Sequence, residues 1–597
     1  MSITAVLQNS LSGLSVAQSA LAVVSQNVAN ANTVGYSRQI VGLEARIVAG
    51  ISSGVWISGI ERVIDDFLVR ELQGQTSVLG AARASAQFLT EVQSRFGTPG
   101  GNTSLSADLT ELGVAFDTLT VNPEDAALRF GVVAAGAAVA RSVSDLATSV
   151  QKLRTEADKE IKITIDAINA RLRAIDDLNG QISRTRASGA PTASLEDQRD
   201  REVAKLAENI AISIFKRDNG ALTIFTGSGL SLVDVELREL DYTPAAVVSA
   251  STVFGAISIF RIDPVTGQRI GAGIELASSG TSATVTDGIV SGRLKGLIDV
   301  RDGALDDLAA QVESIATQIR DQYNDIHNSG VSFPAPNSLT GTRDVTVADA
   351  FAATGNVRIA VLDADGTVAA APLDLDLTAL GATTVGALAT AIDAALGADG
   401  SAAVVNGRLV ISASDPTRGI AIHETTSQIT GTTQGFSRFF GLNDFFTGAN
   451  AANFAMRQDI VNDSSRVAVG ELSLTAAATQ AGTTVGDNRV IERLSALTNI
   501  GISFAAVAGL PAGNFTLGEY AGAILGLNAV RTATANEDAN LQQNLFNNLE
   551  HRQTSQSGVN IDEELANMVV LQNAFSASAR VLAAASEMFD TLISVVG

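Results

Sequence analysis

The chain has 597 residues, a net charge of −23 at pH 7 and no cysteine. That length exceeds what one hydrophobic core organises, so about three or four domains are expected. The acid excess argues against a nucleic-acid binder, which needs a basic face to displace phosphate counterions, and the missing cysteines exclude disulfides, thiolate metal sites and a cysteine nucleophile.

The first segment, MSITAVLQNSLSGLSVAQSALAVVSQ, contains no Lys or Arg, and the first basic residue is Arg38. It therefore lacks the basic start of a secretory signal. Leu7, Leu14, Leu21 and Val28 recur every seven residues, and Ser10, Ala17 and Val24 complete a three-four alternation. This is a helix with an apolar stripe. It ends in NVANANTVGYSRQ, which places Asn27, Asn30 and Asn32 before Gly35, Tyr36, Ser37 and Arg38. Asn30, Asn32 and Gly35 suit left-handed conformations that cap orphan carbonyls. Tyr36, Ser37 and Arg38 then offer polar contacts beside the stripe.

GISSG at 50–54 matches the G-x-S-x-G nucleophile pattern through Ser52. That motif needs a helix after the serine, whereas VWISGIERV reads as a strand, so a turn is preferred. From about 76 to 186 the chain reads as helix, broken near Gly97–Gly101 and at Pro123. The apolar run 131–140 is far short of the roughly 20 residues a membrane span needs. A hairpin signal at Asn219-Gly220 opens a β-rich region, and GSGLSL near Gly227 is a turn before a strand. Helix returns over about 297–327, with Gly330 as a stop. Asp365-Gly366 and Asn406-Gly407 mark two more turns, and TTVGALATAIDAAL between them reads as one short helix. The uncharged stretch 494–518 contains Pro511 and reads as buried or looped chain. Helical patterning resumes after Met456 and leads into the C-terminal segment.

There Ile561, Leu565, Met568, Gln572, Phe575, Ala579, Leu582, Ser586, Phe589, Ile593 and Val596 step by four and three. This is a coiled-coil seam about 53 Å long, with Asp562, Glu563 and Glu564 in its first turn, where acids favour the helix dipole. Two readings stay open. The terminal helices pair within one chain, or many copies stack their paired ends, in which case the ends order fully only on assembly.

The expected fold is α+β and multidomain: a discontinuous α-helical rod with N- and C-terminal coiled-coil helices, plus inserted β-rich domains. Residues 1–75 and 540–597 form the terminal helical domain; 76–205, 291–343 and 451–539 the helical rod; 206–290 and 344–450 the β-rich domains. The three histidines, His327, His423 and His551, do not pair at ligand spacing, so zinc is not expected; His327 reads as a helix-terminal residue. The acid pairs Asp176-Asp177 and Asp306-Asp307 read as solvated helix faces. No catalytic, cofactor-binding or metal-binding residue is assigned.

NVANANTVGYSRQ resembles the signature of bacterial flagellar axial proteins, and within that family it is nearest to the hook-associated branch. SLSADLTEL, VNPEDAALR, SLEDQRDREVAKLAE, GRLKGLIDVRDGALDDL and VGDNRVIERLSAL are similar to successive family segments in family order. The segment SGVNIDEELANMVVLQNAFSASARVLAAASEMFDTLI is similar to the family's C-terminal helix, while the β-rich middle carries little resemblance. Val34 stands where the family commonly has proline. The resemblance implies a structural, non-enzymatic subunit of the hook–filament junction, without a cofactor. It would leave the cell through the flagellar type III apparatus without signal cleavage. Its implied partners are identical subunits, the hook protein, the third hook-associated protein and an export chaperone, with no nucleic acid or membrane. Polymerisation would run through Leu7, Leu14, Leu21 and Val28 with Leu565, Met568, Phe575, Leu582, Phe589 and Ile593, and the corner of Asn27, Asn30, Asn32, Gly35, Tyr36, Ser37 and Arg38 would meet neighbours. The alternatives are another axial component (a third hook-associated, hook or distal rod protein) and, more distantly, a serine hydrolase built on Ser52.

Overall fold

The computed structural model describes residues 3–48, 51–97, 104–277 and 288–596. The architecture is α+β and multidomain. Its helices in chain order are α1 (Ile3–Asn30), α2 (Asp66–Phe96), α3 (Leu105–Val121), α4 (Ala126–Ala187), α5 (Ala193–Asn209), α6 (Arg293–Asp299), α7 (Leu305–Asn328), α8 (Leu377–Leu380), α9 (Val385–Leu396), α10 (Phe436–Phe440), α11 (Gln458–Asn462), α12 (Arg489–Ala496), α13 (Leu517–Ser557) and α14 (Ile561–Val596). They and the strands form two compact units, each assembled from discontinuous stretches: 1–89, 155–303 and 533–597, and 90–154 and 304–532.

In the first unit, β1 (Gln39–Val48) and β2 (Ile51–Arg62) make an antiparallel hairpin directly after α1. Only its second strand is legible in VWISGIERV, so the stretch 1–75 is not purely helical as expected. Ile161, Ile165, Ile168, Leu172, Ile175 and Ile182 of α4 are fully buried along one helical face. Two three-stranded antiparallel sheets accompany this helix. One holds β3 (Ile212–Lys216), β4 (Leu222–Thr226) and β5 (Ser231–Val233); the other holds β6 (Arg238–Asp241), β7 (Ile257–Ile262) and β8 (Arg269–Ala277). Two buried asparagines bond α4 to them. Asn179 Nδ2 donates to Leu222 O (2.8 Å) while its Oδ1 accepts from Leu222 N (2.9 Å). Asn169 repeats the arrangement on Leu240, with both bonds 2.8 Å. Each amide thus replaces a missing strand partner, satisfying backbone groups that would be costly to bury alone.

In the second unit, Leu308, Val312, Ile315, Ile319 and Tyr323 of α7 are buried. The Tyr323 ring lies 6.0 Å from Phe116 of α3 and 6.1 Å from Phe445. Strand β9 (Ser338–Thr340) precedes β10 (Ala353–Thr354), β11 (Asn356–Leu362) and β12 (Leu373–Asp376). β13 (Gly400–Val405), β14 (Arg408–Ala413), β15 (Gly419–Glu424) and β16 (Gln428–Ile429) follow. Two sheets result, ordered β12-β11-β15 and β13-β14-β9, around a core that includes Ile359, Leu388, Ile392, Leu409 and Phe440. The predicted short helix is α9, capped by Thr384, whose hydroxyl accepts from Ala387 N. Asn406 (φ 50°) and Gly407 (φ 78°) form the two-residue link between β13 and β14, the double positive φ that a primed hairpin turn requires.

The region after Met456 is less helical than expected. The pair β17 (Phe446–Thr447) with β18 (Ala455–Met456) leads into it, and besides the pair β19 (Ile502–Phe504) with β20 (Gly513–Phe515) it holds only α11, α12 and two 3₁₀ turns before α13. Gly470, Gly482, Gly486 and Pro511 interrupt the pattern there, and each disfavours a helix interior.

His327 does sit at the end of α7, but fully buried. Its Nε2 accepts from Ala468 N (2.9 Å), so Nδ1 carries the proton and donates to Asn443 O (2.6 Å). Burial, reinforced by Arg457, pushes its pKa down to about 4 against the opposing Asn443 bond. It is a neutral strut. Asp306 and Asp307 are paired with Arg154 (3.2 Å) and Arg531 (2.7 Å). Among the described residues no group of three or more metal-ligating side chains occurs.

Candidate functional site: the paired terminal helices

Helices α1 and α14 pack against each other. Gly13 lies beside Ser578, and Asn27 bonds Glu564, so the two helices run antiparallel. The small residues predicted on α1 make the contact. Ser10, Ala17 and Val24 are buried, and a side chain at Gly13 would press on Ser578. Leu7, Leu14, Leu21 and Val28 are only half-buried.

On α14 the buried face is rotated by one residue from the predicted seam. Glu564 and Ala585 are buried, and Leu571, Ser578 and Leu582 half-buried. Met568 and Leu582 border this face. Leu565, Phe575, Phe589 and Ile593 stay exposed, Leu565 at 47% and Ile593 at 55%. Val569, Val570, Met588 and Leu592 are exposed as well. One chain thus covers the small-residue face of α14 and leaves its bulky face open. Large apolar patches on a protein surface mark places where something else binds. By length and composition two helical stretches, Ala126–Ala187 and Leu517–Ser594, are apolar enough to cross a membrane; the first is substantially buried.

The polar corner closes the helix pair from inside. Asn27, 1% exposed, uses its whole amide. Nδ2 donates to Gln39 O (2.9 Å) and Glu564 Oε2 (3.0 Å). Oδ1 accepts from Gln39 N (3.0 Å) and Tyr36 Oη (2.9 Å). Arg38 Nε reaches the other oxygen of Glu564 at 2.8 Å and its backbone N–H donates to Ser557 O at 2.9 Å. The buried carboxylate is therefore satisfied by a guanidinium and an amide, the condition for burying charge without a large penalty. Ser37 N donates to Asp197 of α5 (3.3 Å), and Arg62 of β2 joins Asp197 and Asp200, each at 2.8 Å. Burial, then the Asp197 and Glu564 charges, pushes the Tyr36 hydroxyl pKa up to about 12, so it stays a donor.

One expectation about this corner is corrected. Only Gly35 takes positive φ (75°); Asn30 and Asn32 do not. Asn30 caps the helix instead through its side chain, Nδ2 donating to Gln26 O at 3.0 Å. Asn27, Tyr36 and Arg38 also make contacts inside the chain: Asn27 and Arg38 donate to Glu564, and Tyr36 donates to Asn27. Asn32 and Gly35 remain exposed. Glu564, Asp197 and Arg62 are the partners that sequence reading did not assign. The one signal was the acid cluster at the start of α14, which reads equally well as a dipole effect. Ser52 lies within β2, which runs on as strand to Arg62, so the strand–serine–helix setting of a nucleophile elbow is absent; its side chain and Gly50 fall outside the described residues.

Residues 89–336 match the family model of the flagellar hook-associated protein FlgK helical domain. Residues 553–595 match the C-terminal model of flagellar basal body rod FlgEFG proteins, and 7–36 the flagella basal body rod protein model. The flagellar hook-associated protein 1 of Escherichia coli K12 is 26% identical over 607 residues, covering 99% of this chain and 100% of its own. That of Salmonella typhimurium LT2 is 25% identical over 622 residues, with the same coverage. The solved flagellar hook junction protein FlgK from Burkholderia pseudomallei aligns with a TM-score of 0.48 and 14% identity, covering 82% of this chain and 100% of that one.

Proposed function

We propose that this chain is a structural subunit of the hook–filament junction, of the family of flagellar hook-associated protein 1, and that it joins its neighbours there through the apolar face that α14 leaves uncovered. The observation that carries this reading is the split on α14, where the small-residue face is spent on α1 and Leu565, Phe575, Phe589 and Ile593 face outward. Sister copies, each bearing the same stripe, bury these side chains by forming a bundle. The hairpin adds to the surface, since Leu43, Ile47 and the single tryptophan, Trp56, are exposed on it. The internal corner holds α1 and α14 in register so that the stripe is presented as one surface. As a member of this family the chain assembles with other flagellar components outside the cell. We assign the hook protein and the third hook-associated protein as its neighbours, a chaperone as its partner before export, and type III export without signal cleavage as its route.

The test is Leu14→Asp and Phe575→Asp in the full chain. Each variant should fail to incorporate at hook tips while the second unit unfolds at the wild-type temperature. Normal incorporation contradicts the reading, and binding of the wild-type chain to lipid vesicles in place of hook tips would assign the stripe to a membrane.

A further inference from the structure

Five arginines line one cleft of the second unit, a depression of about 960 Å³: Arg320, Arg343, Arg408, Arg438 and Arg457. Four are committed. Arg320 pairs with Asp321 (2.9 Å), Arg408 with Asp344 (2.9 Å), and Arg438 with Asp321 (2.8 Å) and Asp325 (2.7 Å). Arg457 pairs with Asp459 (3.0 Å) and also donates to Thr340 O (2.6 Å). Arg343 is different. Among the described residues its guanidinium makes no ion pair and no hydrogen bond; it sits over the Phe439 ring, 4.0 Å from the centroid. Stacking of this kind holds a guanidinium in place while its N–H donors remain at the edges, the geometry that reads a carboxylate through two parallel bonds. Among the described residues the side-chain amide of Gln434, which lines the same cleft, makes no hydrogen bond either.

We propose that this cleft receives an acidic peptide segment of a partner chain, with one carboxylate of the segment in the fork of Arg343 and Gln434 beside it. Size and charge both favour a peptide over a small polyanion. The volume lies at the upper end of ligand sites, about 300–1,000 Å³, too large for a lone ion to fill. Five arginines meet four lining aspartates (Asp321, Asp344, Asp444 and Asp459) and Asp325 behind Arg438, so the charges balance and Arg343 is the one lining cation without an ion pair among the described residues. That suits one carboxylate at Arg343, and the aspartates repel a multiply charged phosphate. Every lining residue belongs to the second unit, so the proposal does not depend on how α14 assembles.

Calorimetric titration of the full-length chain with an end-capped hexapeptide carrying a single Glu among Gly and Ser tests it, with its Gln counterpart as the neutral control. The acidic peptide should bind and the neutral one should bind about tenfold more weakly or less, the loss expected for one charge-assisted bond. Arg343→Gln should lower affinity for the acidic peptide by about as much, and Phe439→Leu should lower it through the lost platform. Because Arg343 is exposed, Arg343→Gln should melt as the wild type does, which separates lost binding from lost fold. No binding to the wild type, equal binding of both peptides, or an affinity unchanged in Arg343→Gln overturns the proposal. So does inorganic phosphate binding as tightly as the peptide.

Discussion

Helices α7 and α14 carry the same kind of three-four apolar periodicity, yet they end in opposite environments. On α7, Leu308, Val312, Ile315 and Ile319 are buried among α3, α12 and the aromatic residues of the second unit. On α14 the stripe of equal quality stays in solvent, because α1 takes the neighbouring face. The difference lies in what is left over once small residues are paired. Gly13, Ala17 and Ser578 let two helices approach closely, and such a contact does not need the large side chains beside it. Periodicity states that a helix wants a partner; it does not state whether the partner is in the same chain.

The strongest way to break this contrast is a charge in each stripe. Ile315→Asp should cost more than about 4 kcal/mol and unfold the second unit, since a fully buried position offers the carboxylate nothing. Val569→Asp on α14 should change the stability of the isolated chain by less than about 0.5 kcal/mol. Thermal unfolding of both variants checks the pair, and equal losses would erase the distinction.

A smaller effect is expected where the stripe is positioned. Asn27→Ala removes four hydrogen bonds at once and leaves Gln39 N and one oxygen of Glu564 unpaired in a buried site. About 2–4 kcal/mol of local stability should be lost. Hydrogen exchange should show it in α1 and α14 and leave α7 unchanged.

The smallest effect sharpens the description of the second unit. Burial pushes the Glu424 carboxyl up to about 7, with Asp325 adding to it and the Arg438 and Ser437 amides opposing. A carboxyl raised on folding binds its proton more tightly in the native state, so its contribution is fully present below about pH 4.5 and is lost as pH rises through 7. His327, depressed to about 4, acts oppositely: its contribution is lost as pH falls from 6.5 toward 4. The two largely offset each other between pH 4.5 and 6.5. Glu424→Gln should therefore gain about 2–4 kcal/mol relative to wild type between pH 4.5 and pH 7.5. It should also show a steeper loss of melting temperature on acidification. A difference from wild type that does not vary with pH would show that Glu424 is not held protonated.

Much of this was legible in the residues. The heptads of α1, the Asn406-Gly407 turn and the α9 helix follow from spacing and turn chemistry alone. The hairpin β1–β2 was half missed because QIVGLEARIV lies between two stronger signals, a helix end and a glycine-rich turn. The predicted stripe of α14 follows its bulky side chains, while the face covered within the chain lies one residue away and includes Ser578 and Ala585, which no apolar pattern singles out. Glu564 as the closing partner of Asn27 lies more than 500 residues away, and no local rule connects the two. The resemblance to flagellar axial proteins pointed to the residues of the corner, while their bonds inside the chain follow from no local pattern.

The chain contains no cysteine, so a single thiol reports without interference. In Leu592→Cys, on the open face of α14, maleimide labelling should be fast in the isolated chain and suppressed once the protein is assembled at hook tips. Equal labelling before and after assembly, or protection already present in the isolated chain, would contradict the account.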